Sequence, residues 1–187
     1  MKVLIVTGTK DPLFSSAAET AKRCFEESGT AAEIVSLSEH VQGCTGCGRC
    51  WKTGACVFDD EVNQALRLLD DVRGLMVITP VYYGEPAAQT MNFLNRLLYC
   101  GSDRLALKPA VSVSAGKGTA AAKAQARLNE GFAYADMIII SHKNGFALKE
   151  EDDIRIPAKR LACVIRNMDA GGCRFEDEYV RGLDYVR

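Results

Sequence analysis

Lys2-VLIVTGTKDPLFSSAAETAKRCFEES-Gly29 decides the fold. Its apolar run Lys2–Val6 is too short and too continuous for a helix and reads as a buried strand ending at Thr7-Gly8-Thr9. Apolar positions then recur at helical spacing (Ala17, Ala21, Cys24, Phe25), giving a helix over Ser16–Glu27 that stops before Gly29. The same alternation continues. Strands are expected over Ala32–Leu37, Leu75–Thr79, Ala110–Ser114 and Met137–Ser141. Helices are expected over Glu61–Asp70 (with Asp59 or Asp60 as N-cap), Pro86–Tyr99 with proline in its first turn, Thr119–Phe132 and Ala158–Met168, the last closed by Gly171-Gly172. Five near-continuous apolar strands alternating with helices predict a parallel sheet covered on both faces. Right-handed crossovers make it a three-layer α/β sandwich of strand order 2-1-3-4-5, with ligands bound outside the carboxyl ends of the strands.

That rule nominates three loops. Gly8–Ser16 runs into a helix start, where unpaired N–H groups accept phosphate, and Thr9, Ser15 and Ser16 add hydroxyls. Neither G-x-G-x-x-G nor G-x-x-x-x-G-K-[ST] is present, which favours a monophosphate; the plainer alternative is a capped helix start with no ligand. Thr79–Gly84 sets Tyr82 and Tyr83 where a strand runs out, either bordering a flat ring or packing over the sheet edge. Ser114–Thr119 contributes Gly116 and Gly118, around Lys117, where backbone can approach a ligand closely.

The 187 residues are 48% apolar and 25% charged, a globular composition long enough for one domain with its own core. A net charge of −1 without a basic cluster argues against nucleic acid. No apolar run approaches a membrane span, and the first residues lack a signal h-region, so a cytoplasmic protein is expected. In that setting eight cysteines speak for metal or redox use before a disulfide framework.

Four of them fall in Gly43-CTGCGRCWKTGAC-Val57: Cys44, Cys47, Cys50 and Cys56, spaced C-x2-C-x2-C-x5-C. Thiolates this close read as ligands of one soft centre, and the consecutive x2 intervals favour an iron–sulfur cluster. Zinc, which usually takes two separate C-x2-C knuckles, and uncommitted thiols are the alternatives. Trp51 is placed to shield such a centre or meet another subunit. Cys24, Cys100 and Cys163 read as small buried hydrophobes on helices, with Cys100 at a helix end.

Together, Lys2-VLIVTGT, the cysteine segment through Asp60, and Ile78-TPVYYGEPAAQTMNFLNR resemble the iron–sulfur flavoproteins, a branch of the flavodoxin-like NAD(P)H-dependent FMN reductases. The resemblance runs to about residue 145. It implies that Gly8, Thr9, Ser15 and Ser16 hold the FMN phosphate, with Lys10 where relatives often have arginine. It places Thr79, Pro80, Val81, Tyr82, Tyr83 and Gly84 along the ribityl chain and isoalloxazine, and Ala115, Gly116, Lys117 and Gly118 by the ring's pyrimidine edge. A [4Fe–4S] cluster on Cys44, Cys47, Cys50 and Cys56 is implied, and so is a homodimer or homotetramer. The expected function is an oxidoreductase taking electrons from NAD(P)H or ferredoxin to a small-molecule or protein acceptor, with FMN carrying the chemistry. A non-enzymatic electron carrier or redox sensor, and an FMN or quinone reductase without a cluster, are the alternatives.

Overall fold

The computed structural model describes residues 2–116, 118–142 and 145–170. Lys117, Gly171-Gly172, Cys173 and the expected C-terminal tail lie outside the described residues. In chain order come β1 (Lys2–Thr7), α1 (Pro12–Glu27), β2 (Ala31–Ser36), the one-turn α2 (Cys50–Thr53), α3 (Glu61–Leu68) and β3 (Val72–Tyr82). They are followed by β4 (Glu85–Pro86), α4 (Ala88–Leu105), β5 (Pro109–Ala115), α5 (Thr119–Tyr134), β6 (Ile138–Ile140), a 3-10 turn (Glu151–Ile154) and α6 (Arg155–Asp169). The parallel sheet runs β2-β1-β3-β5-β6. With the two-residue β4 set aside, this is the expected 2-1-3-4-5 order, a flavodoxin-like α/β fold.

Alternate residues of each strand feed the two cores. Val3, Ile5, Met76, Ile78, Val111 and Val113 pack with Ala17, Ala21 and Phe25 of α1 and Leu161 and Ile165 of α6. Leu4, Val6, Leu75 and Val77 face the other way, onto Val62 and Leu66 of α3, Phe93 and Leu97 of α4, and Leu128 and Phe132 of α5.

Three boundaries differ from the sequence reading in ways that matter for the site. First, α1 begins at Pro12 rather than Ser16, because the Asp11 carboxylate caps it by accepting the Leu13 N–H at 2.9 Å. Ser15 and Ser16 therefore belong to the helix and not to the loop. Second, Pro86 is in β4, not in a helix. Val81 pairs with Pro86 and Tyr82 with Glu85, so Tyr83-Gly84 is a two-residue hairpin with φ of 53° and 81°. Third, α4 continues to Leu105, so Cys100 lies within it and not at its end. The acidic run Glu150–Asp153 opens the 3-10 turn, with Glu150 as its N-cap and a reciprocal capping box between Glu150 and Asp153. No helix among the described residues is long and apolar enough to cross a membrane.

Candidate functional site

β1, β3 and β5 end on one rim, and their loops touch. The Gly8 N–H donates to the Ile78 carbonyl at 2.7 Å, and Gln89 Nε2 donates to the Gly8 carbonyl at 2.8 Å. A Cβ at Gly8 would stand 2.2 Å from Thr90 Oγ1, so only glycine fits there. Thr79, fully buried, bonds Thr90 Oγ1 at 3.1 Å and accepts the Ala87 N–H at 3.2 Å, fixing the start of α4 beneath the rim. Gly116 lies flat on Val81, where a Cβ would come within 3.0 Å. Loops one, two and three are thus brought together as expected.

The hydroxyls are not all disposed as expected. Thr9 Oγ1 accepts the Asp11 N–H at 3.3 Å, Ser15 reaches the Lys10 carbonyl at 3.5 Å, and Ser16 donates to Glu151. Thr7, which the sequence reading passed over as a strand residue, is fully buried at the same strand end, and its Oγ1 has no partner among the described residues. A buried hydroxyl without a partner is costly, so this strand end carries an unmet polar group beside the rim. Tyr82 and Tyr83 do not pack over the sheet edge; both project into solvent, and Tyr83 does so from a left-handed backbone that side chains avoid.

The cysteine segment follows β2 and lies along α3 and α4. Cys44, Cys47, Cys50 and Cys56 line one cavity together with Cys100 and Arg96 of α4. Gly46 and Gly48, at φ of 69° and 66°, let the backbone turn on either side of Cys47. From α3, Asn63 grips the far end of the segment: its Oδ1 accepts the Cys56 N–H at 2.8 Å, and its Nδ2 donates to the carbonyls of Cys56 and Phe58. From α4, Asn92 donates to the Val41 carbonyl at 3.0 Å. Trp51 stacks on Tyr99, which lines the same cavity, at 5.1 Å and stays largely exposed. Among the described residues, no three His, Cys, Asp or Glu side chains converge to hold a single metal ion. A cuboidal cluster makes a different demand, since each of its four thiolates binds a separate iron.

Arg96 and Cys100 are the functional candidates that the sequence reading missed. Arg96 is buried, paired with Asp60 at 2.5 Å, and donates from Nε to Cys56 Sγ at 3.2 Å. Burial opposes its charge, yet Asp60 and Cys56 carry its pKa above the ordinary arginine value. Burial, and then the neighbouring Cys50, pushes the Cys100 thiol up to about 11. Cys47 is shifted down, chiefly by a hydrogen bond from the Arg49 backbone N–H. Cys24 is buried in the α1–α6 core as expected, and Cys163 is half-buried.

One helix serves both places. Gln89 and Thr90 on the first turn of α4 hold the rim, and Asn92, Arg96, Tyr99 and Cys100 face the cysteine segment. Gln89 and Arg96 are seven positions apart, about 10 Å along a helix axis.

A family model described as NADPH-dependent FMN reductase matches residues 1–150. A protein named iron-sulfur flavoprotein from Archaeoglobus fulgidus is 34% identical over 88 residues, 46% of this chain and 40% of its own length. An iron-sulfur flavoprotein from Methanosarcina thermophila is 26% identical over 186 residues, 88% of this chain and 95% of its own. The chain thus spans well under half of the first relative and nearly all of the second. Among solved structures, a flavodoxin from the domain Archaea superposes with a TM-score of 0.58 at 14% identity, covering 90% of this chain and 98% of that one. That likeness is one of fold.

Proposed function

This chain belongs to the NADPH-dependent FMN reductase family, and we propose that it is an FMN-dependent oxidoreductase with a [4Fe–4S] cluster on Cys44, Cys47, Cys50 and Cys56. The observation that carries this reading is α4, whose first turn braces the rim and whose following turns hold the cysteine segment. A rigid element that fixes two centres relative to one another is what electron passage between them requires. When bound, FMN exchanges electrons in pairs or singly, and a [4Fe–4S] cluster exchanges them one at a time.

The chain's own residues position and shield these groups. Thr7, Gly8, Thr9 and Lys10 would meet the phosphate, with Ser15 and Ser16 on the first turns of α1. Thr79, Pro80, Val81, Tyr82, Tyr83 and Gly84 would flank the ribityl chain and ring, and Ala115, Gly116, Lys117 and Gly118 its far edge. Supporting this are the Thr7 hydroxyl, unpartnered among the described residues, and the exposed Tyr82 and Tyr83 where β3 runs out. The four thiols, soft and clustered beside one guanidinium, suit iron. NAD(P)H or ferredoxin is the donor in this reading, and a small molecule or redox protein the acceptor. The exposed Trp51, Val57, Tyr82 and Tyr83 suit burial in a homodimer or homotetramer. The described cysteines are all unpaired, which suits the cytoplasm.

Steady-state oxidation of NADH or NADPH by the anaerobically purified protein, with a quinone or free flavin as acceptor, tests the enzymatic reading. Turnover supports it. Absence of turnover, with rapid oxidation by a ferredoxin, points to a carrier instead.

A further inference from the structure

Arg96 is the only charged side chain among the described residues that is fully buried. Burying a guanidinium is expensive unless every donor is met. Here every donor is. Nε donates to Cys56 Sγ at 3.2 Å, Nη1 to the Gln42 carbonyl at 3.1 Å and to Asp60 Oδ2 at 2.5 Å, and Nη2 to the Phe58 carbonyl at 3.4 Å and to Asp60 Oδ1 at 2.9 Å. The five N–H groups of an arginine are thus used up, one of them on sulfur. The Phe58 ring lies beneath the guanidinium at 5.0 Å. Gln42 and Phe58 bracket the cysteine segment, so the side chain ties both of its ends. Tying alone does not need a charge, since the neutral Asn63 and Asn92 do the same elsewhere on the segment. What the guanidinium adds is a positive charge, itself buried, and an N–H bond directed at a ligand sulfur.

We propose that Arg96 raises the reduction potential of the centre held by Cys44, Cys47, Cys50 and Cys56, and that Asp60 sets how far by partly neutralising it. The proposal rests on the reading of the cysteine segment as a cluster site. Adding one electron makes a thiolate-bound centre one unit more negative. A nearby cation and an N–H···S bond stabilise that form, whereas a nearby carboxylate opposes it. Both groups act from outside the ligand set, so both are positioning residues.

The test uses the full-length protein, purified and reconstituted without oxygen, as wild type, R96Q and D60N. Three quantities are read: iron and acid-labile sulfide per chain, the midpoint potential from a mediated titration followed by electron paramagnetic resonance, and the melting of the cluster-free protein. R96Q is expected to favour the oxidised form about tenfold more than wild type does, 59 mV downward for one electron. D60N, which removes the carboxylate's charge and one of its two bonds to Arg96 but leaves the Arg96 bond to Cys56 in place, is expected to shift the potential upward. A purely structural role would lower melting in both variants without moving their potentials in opposite directions. Where R96Q fails to load, D60N decides, and an unchanged or lowered potential in D60N overturns the proposal. Loaded variants with the wild-type potential overturn it while leaving the cluster reading intact. A wild type without iron and sulfide overturns the cluster reading and this proposal together.

Discussion

The thiols around the cavity do not share one reactivity. With its pKa near 11, Cys100 leaves roughly one thiol in a thousand ionised at pH 8, whereas the exposed Cys47, shifted downward by the Arg49 N–H, ionises more readily than a free cysteine. Iodoacetamide at pH 8 should therefore label Cys47 of the cluster-free protein long before Cys100. The Cys100 rate should climb about tenfold per pH unit until pH nears 11. Peptide mass spectrometry over time checks both, and equal rates at pH 8 would sink the assignment of environments. Tyr83 offers a second test at this scale. A left-handed backbone costs a non-glycine residue about 1–2 kcal/mol, and asparagine tolerates it better. Tyr83→Asn should stabilise the cofactor-free protein by about 1 kcal/mol in urea denaturation and weaken FMN binding in a fluorescence titration. A variant that binds FMN as tightly as wild type removes Tyr83 from the flavin site.

Asp11 holds the start of α1 by its side chain, and Asp11→Ala should cost about 1 kcal/mol of stability, with Asp11→Asn restoring most of it. Because the carboxylate faces the helix start where a phosphate is expected, Asp11→Asn should bind FMN at least as tightly as wild type. Weaker binding would place the phosphate elsewhere. The strands were legible because both faces of the sheet are buried, which turns each into an unbroken apolar run. The β3–β4 hairpin was not, since Tyr83-Gly84 lacks the Asn-Gly or Asp-Gly signature of a two-residue turn, and Pro86 reads equally well as a helix start. The end of α4 was misplaced for a related reason. Gly101 looks like a stop signal, yet it is glycine because a Cβ there would come within 2.5 Å of Leu69 Cδ1. That error hid Cys100. Arg96 has no local signature at all, but Asn92, Arg96 and Cys100 recur every fourth position, and such a polar stripe beside the apolar Phe93 and Leu97 is the signal that could have found it.

At the scale of the whole molecule, the sheet gathers three loop ends on one rim, and α4 sets the cysteine cavity beside them. The two places are bound to one helix packed on the core through Phe93, Leu94 and Leu97, which ties their positions to a common element. The cysteine pattern and the fold were both readable from sequence, whereas their mechanical connection lives only in three-dimensional contacts between residues far apart in the chain. The most direct test is the cofactor content of the protein purified without oxygen: FMN, iron and acid-labile sulfide per chain, with the absorption spectrum. One FMN with about four irons and four sulfides per chain is expected, and Cys47→Ala should lose the iron and sulfide while keeping the flavin. Flavin without iron in the wild type, or iron unchanged in Cys47→Ala, would contradict it.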